Sequence, residues 1–209
     1  MGINIFSLSS IVILVLAFAT AKIAVGGDPD IITDFTPPVN GSVANPDFFT
    51  FTGMRVLLEE DPSPAFRVLK ASMSEFPGLL GQSVSYAVLE FPVGSVNPPH
   101  THPRSAELLF LISGTLEVGF VDTANKLFTQ TLQSGDLFVF PKGLVHYQQN
   151  VDPQDFSIAI SAFGSANAGT VSVPSSVFAT GIPDGILAKS FKTDVATIQA
   201  IKAGLAPKP

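Results

Sequence analysis

Between about residues 66 and 165 the chain alternates short apolar runs with turn residues, a period too short for helices. "SVSYAVLEF", "AELLFLIS", "TLEVGFV", "KLFTQTL", "DLFVF" and "FSIAISAF" are rich in β-branched and aromatic residues and are parted by Gly, Pro, Asn or Asp. Runs of this length, punctuated this way, predict the strands of an antiparallel sandwich or barrel. In "SVSYAVLEF" apolar residues fall on both faces, as expected of a strand covered on two sides. In "AELLFLIS" alternate counting puts Glu107, Leu109 and Leu111 on one face, so a carboxylate enters an otherwise apolar wall. Phe110, Phe138 and Phe140 join Leu109 and Leu111 as expected core.

The flanks read differently. Residues 28–65, opening "DPDIITDFTPPVNGSVANPDFF", have no long period and predict an extended, Pro-punctuated arm. Residues 174–209 carry helical signals. Pro183 and Asp184 open "DGILAKSF", Thr193 is the expected cap of "DVATIQAIKAG", and Gly204 its expected stop. Val195, Ile198 and Ile201 form its apolar stripe. The barrel is expected over 66–173, giving one all-β domain with an N-terminal arm and short C-terminal helices.

Composition changes this picture at the start of the chain. Hydrophobic residues make up 46% of the 209 residues and charged ones only 13%, low for a lone soluble domain. "SIVILVLAFATA" accounts for part of the excess. It is too short to span a bilayer and ends in Ala19-Thr20-Ala21, a small-x-small pattern suited to signal peptidase. Residues 1–21 are therefore expected to be a signal peptide, with Ala24-Val25-Gly26 a second cleavage site. Burial between subunits would account for the rest. Asn40-Gly41-Ser42 is an N-x-S sequon, making Asn40 a candidate glycan site in a secreted chain. A net charge of −6 without a basic run gives no sign of nucleic-acid binding. With no cysteine, disulfides, thiolate metal sites and cysteine nucleophiles are excluded.

The chain has three histidines. His100 and His102 stand one residue apart behind Pro98-Pro99, so an extended segment aims both to one side. Glu107 follows. His146 lies after the strand "DLFVF" and the turn Pro141-Lys142-Gly143, placed to face the pair. An unpaired buried carboxylate costs several kcal/mol, which a cation between it and the imidazoles removes. Three imidazoles and one carboxylate with open positions favour Mn(II) or Fe(II), with Zn(II) or Ni(II) as alternatives. Separate structural histidines are the competing reading.

Gly94, His100, His102, Glu107 and Gly114 fit G-x5-H-x-H-x4-E-x6-G. Gly135, Pro141, Gly143, His146 and Asn150 fit G-x5-P-x-G-x2-H-x3-N. These are the two motifs of the cupins, and with "NPPHTHPR" and the "DPDIITDF" arm the whole chain resembles a plant germin-like protein. The resemblance implies a jelly-roll barrel secreted to the apoplast or cell wall, with manganese held by His100, His102, Glu107 and His146. It also implies dimers assembled into hexamers through the C-terminal helices, and roles in plant defence or the wall. Family activities are oxalate oxidase and superoxide dismutase. Two departures stand out: the arm lacks the family's cysteines, and of the two asparagines that accompany oxalate oxidase activity only Asn97 is present, the other position being Ala87. Alanine cannot hydrogen-bond oxalate, so that activity is disfavoured. Asn97 is the candidate catalytic residue beside the metal, with capping of the turn at the double proline the alternative. Arg104 is a candidate source of positive charge for an anion such as superoxide, or else part of a surface ion pair. The alternative to an enzyme is a receptor or wall protein with a structural metal that binds small, auxin-like carboxylates.

Overall fold

The computed structural model describes residues 28–38, 41 and 44–206. The expected signal peptide and Asn40 lie outside the described residues.

The period-two patterns become strands. They are β1 (Arg67–Ala71), β2 (Ser85–Phe91), β3 (Val96–Thr101), β4 (Glu107–Ser113), β5 (Thr115–Val121), β6 (Leu127–Gln133), β7 (Leu137–Phe140), β8 (His146–Asn150), β9 (Ser157–Phe163) and β10 (Val171–Ser172). Two antiparallel five-stranded sheets result, ordered β1-β2-β9-β4-β7 and β10-β3-β8-β5-β6. Their facing sides hold a core that includes Leu89, Phe91, Leu109, Leu111, Leu116, Val118 and Phe140. Phe110 departs from the expected core: with Leu108 and Ile112 it points outward and is exposed. Neighbouring residues of a strand point to opposite faces, so Leu109 and Phe110 cannot share one.

Gly114 alone separates β4 from β5, at φ 87°. A Cβ there would sit 2.8 Å from the Phe156 carbonyl oxygen, so both backbone and space demand glycine. Beyond the expected strands, the short β10 pairs Val171 with Thr101 and Ser172 with His100. Nothing in a two-residue run marks it as a strand before the chain folds.

The arm is less extended than its prolines suggest. It contains 3-10 turns at Pro46–Phe49 and Gly53–Arg55 and one helical turn at Val56–Glu59. Asn45 caps the first, accepting from the Phe48 N–H. The C-terminal helices are Val173–Phe178, Asp184–Phe191 and Val195–Leu205. Asp194 rather than Thr193 caps the last, its carboxylate accepting from the Thr197 N–H at 2.8 Å, and Gly204 lies inside that helix. Ile198 is buried with Leu187 and Ala188, whereas Val195 and Ile201 are exposed. No helix among the described residues is long and apolar enough to cross a membrane.

In place of a disulfide, a carboxylate fastens the arm. Asp28 accepts from the buried Ser165 hydroxyl and from the Ala166 N–H, both at 2.6 Å. Hydrogen bonds to a charged acceptor contribute about 1.5–3 kcal/mol. Asp28→Ala should therefore lower stability in urea unfolding by about that amount, while exposed Asp30→Ala should stay within about 0.5 kcal/mol. Equal effects from the two variants would refute the anchor.

Candidate metal centre

β3, the turn that follows it, β4 and β8 bring His100, His102, Glu107 and His146 together. All four are buried, and one ligand atom from each lies within 4.8 Å of the others. The joint reading of the three histidines is thus the one realised. His102 stands just past the end of β3, and the three imidazole rings pack with centroids 4.1–5.2 Å apart. Phe140 stacks on His146 at 4.5 Å, and Phe163 meets His102 edge-on at 4.8 Å.

Backbone carbonyls set the tautomers. Nδ1 of His100 donates to the Pro98 carbonyl and Nδ1 of His146 to that of Leu144, both at 2.8 Å. Nδ1 of His102 donates to the Gly169 carbonyl at 2.5 Å. A carbonyl can only accept, so each Nδ1 carries the proton and each neutral ring keeps its Nε2 lone pair for a ligand. Yet Glu107 Oε2 lies 3.0 Å from His102 Nε2 and 3.1 Å from His146 Nε2. Lone pairs at that range repel unless a positive species joins them, either protons that make the rings imidazolium or a metal ion. Ligands at right angles about 2.0–2.1 Å from a metal are themselves about 3 Å apart. The residues present fit a metal ion held by three nitrogens and one oxygen.

The other carboxylate oxygen is occupied. Glu107 Oε1 accepts from the Ser161 hydroxyl at 2.5 Å and from Gln148 Nε2 at 3.4 Å. Asn97 in turn donates to Gln148 Oε1 at 2.6 Å. Asn97 therefore neither caps the proline turn nor meets Glu107 directly; it holds Gln148 and lines the cavity above the site. Sequence reasoning missed Gln148 and Ser161. The available signal was their position: Gln148 falls two residues after His146, and Ser161 on the inward register of β9. Asn150, the last motif residue, is structural. Its amide donates to the Phe91 and Asp155 carbonyls, each at 2.9 Å.

Arg104 faces away from the metal cavity. Its guanidinium donates to the Asn167 backbone and side-chain oxygens and lines a separate cavity beside Asp28 and Ile31. It braces the 165–169 segment that supplies the Gly169 carbonyl to His102. The metal cavity, about 460 Å³, is lined by His100, His102 and Glu107 together with Ala87 and Lys70.

A family model described as Cupin matches residues 57–199. "Germin-like protein 9-3" of Oryza sativa subsp. japonica is 58% identical over 95% of this chain and 97% of its own. This chain is a germin-like protein of the cupin family. "Putative germin-like protein 9-2" of the same plant is 55% identical over 99% of this chain and 98% of its own. Among solved structures, an oxalate oxidase matches this germin-like chain with a TM-score of 0.77 and 30% identity, covering 86% of it and 98% of the oxidase.

Two acid–base shifts follow from the packing. Burial pushes the His100 imidazole down to about 4, aided by the neighbouring His146. Burial also works to raise the Glu107 carboxyl, but hydrogen bonds and charge from His102 and His146 outweigh it and hold the group at about 2. For His100 the unfolded chain takes up its proton first, so stability is lost as pH falls from about 6.5 to about 4. For Glu107 the contribution is present above about 4.5 and lost toward about 2. Urea midpoints of the chelator-treated protein should thus begin falling below about pH 6.5; a flat profile to pH 4 would contradict the burial of His100. Ser161→Ala should weaken metal binding about 10–100-fold by freeing the Glu107 carboxylate, measured by chelator competition.

Proposed function

We propose that this germin-like protein is a secreted manganese protein of the plant apoplast or cell wall that dismutates superoxide. The observation that carries the reading is the convergence of three imidazoles and the Glu107 carboxylate at a cavity whose wall includes His100, His102 and Glu107. A mixed nitrogen and oxygen donor set without thiolate suits Mn(II), with Fe(II) or Zn(II) as the competing ions. Bound manganese would supply one-electron redox chemistry. The chain's own residues fix the imidazole tautomers, orient Glu107 through Ser161 and Gln148, and keep Asn97 at the cavity beside the ligand set. Superoxide is small enough to need no further recognition.

Oxalate oxidation is the weaker reading, although an oxalate oxidase is a structural relative. Ala87 presents a methyl group to the cavity, so the wall offers no side-chain hydrogen bond at that position, while Asn97 stands on it near the ligands. A non-catalytic small-carboxylate binder is the second reading, favoured by a cavity of about 460 Å³, in the size range of pockets for organic ligands.

The leader-like residues 1–21, with cleavage as late as 26, support secretion, and Asn40 is the glycan site such a route would use. Assembly into hexamers as trimers of dimers is supported by two apolar surfaces. Leu108, Phe110, Ile112, Leu137 and Val139 are exposed together on β4 and β7, and Ile186, Phe191 and Ile201 on the C-terminal helices. Exposed apolar area of this kind marks contact surfaces.

Elemental analysis and EPR of the protein from its native secretions should give about one manganese per subunit, as the donor set favours. Superoxide dismutation should disappear with the metal on chelation. His146→Ala should lose both, and stoichiometric metal in that variant would sink the four-ligand site. Zinc, or a metal that leaves dismutation unchanged on removal, would transfer the assignment to the binding role.

A further inference from the structure

The metal cavity contains a charge that the sequence reading passed over. Lys70 on β1 is the only lysine or arginine among the described residues lining it. β1 is the edge strand of its sheet, and the registers align Lys70 with Ala87, Ala87 with Ser161, and Ser161 with Leu109. Residues paired this way share a face. Lys70 and Ser161 thus lie on the inner side of one row with Ala87 between them. Ser161 is the residue whose hydroxyl bonds Glu107. Strands stand about 4.8 Å apart, so about 10 Å of sheet separates the Lys70 and Ser161 backbones. Val68, Leu89 and Phe163 make the apolar part of the wall beside Ala87, and Ser85 and Asn97 add polar groups to it.

Lys70 is exposed, and no side chain among the described residues hydrogen-bonds its ammonium, although its charge acts on the nearby Glu75 carboxylate. Arg67, three residues earlier, is bonded to Glu60 and Glu90. The acidic group at this end of the cavity, Glu75, is turned to Ser72, accepting from its N–H at 3.0 Å and its hydroxyl at 2.6 Å. The cavity therefore has a lysine at one end and ligand nitrogens at the other, with the Ala87 methyl group, Val68 and Leu89 along the wall between them.

We propose that Lys70 determines specificity by anchoring the carboxylate of a small organic acid whose other end carries an oxygen donor directed to the His100, His102, Glu107 and His146 group. The hydrocarbon between the two ends lies over Ala87. The ligand class is an acid longer than a two-carbon diacid, since two strand spacings, about 10 Å, lie between the Lys70 and Ser161 backbones. A side chain larger than alanine at position 87 would occupy the space the ligand needs. The proposal rests on the metal site proposed above, in its ligand-binding form, and extends it by naming the class of ligand and the residue that selects it.

The test is calorimetric titration of unbranched α,ω-dicarboxylates from oxalate to adipate into the full-length protein, with metal content measured on the same samples. Affinity should rise from oxalate toward the longer acids. Lys70→Met, which keeps the stem and removes the charge, should weaken the longer acids about tenfold or more, the worth of a charge-assisted hydrogen bond. Metal content should not change, and Lys70→Arg should restore most of the affinity. Ala87→Leu should reduce binding of the longer acids with Lys70 intact. Two results would overturn the assignment: wild-type protein that binds none of the acids, or a Lys70→Met protein that binds them as wild type does. A wild-type protein lacking metal would instead count against the metal assignment; the role of Lys70 is then read from the difference between wild type and Lys70→Met in the metal-free state.

Discussion

A carboxylate buried to 2% exposure in the wall of an apolar barrel is the constraint around which this molecule is arranged. Glu107 cannot be left with an uncompensated charge, since burying one costs several kcal/mol. Each of its oxygens answers to a different set of groups. Oε2 faces His102 and His146, where only a proton or a cation resolves the contact. Oε1 is held by Ser161 and Gln148. The carboxylate is thereby aimed as well as neutralised.

The histidines are prepared in the same way, by the backbone. His100 and His146 each use the carbonyl two residues before them, an arrangement their own local chain provides. His102 uses Gly169, 67 residues away. That carbonyl belongs to a segment whose neighbouring groups are themselves committed: Ser165 and Ala166 to Asp28, Asn167 to Arg104. The ligand field is thus connected to the N-terminal arm through hydrogen bonds. Arg104 and Asp28 do their work in this support rather than at the metal cavity.

Much of the site was legible beforehand because it is encoded in short spacings. A period of two places His100 beside His102 and buries Glu107 with Leu109 and Leu111, and the turn at Pro141–Gly143 returns His146. The errors have the same physical origin as the successes. Phe110 is large and apolar, which predicts a core position, yet its register points it outward. Thr193 looked like a cap, but Asp194, one residue later, accepts the Thr197 N–H. Local pattern decides that a helix starts, and backbone geometry decides by which residue.

By itself the sequence determined the barrel, the four convergent ligand residues and the exclusion of thiolate chemistry, because strand alternation and residue chemistry are local properties. Tertiary structure alone decided what surrounds them. Ser161, Gln148 and Gly169 reach the site across strands whose pairing no local pattern specifies. Lys70 enters the metal cavity, and Arg104 leaves it, only through the register of β1 on β2 and the path of residues 165–169. A side chain's partners are set by which strands become neighbours, and that choice belongs to the packing of the whole chain.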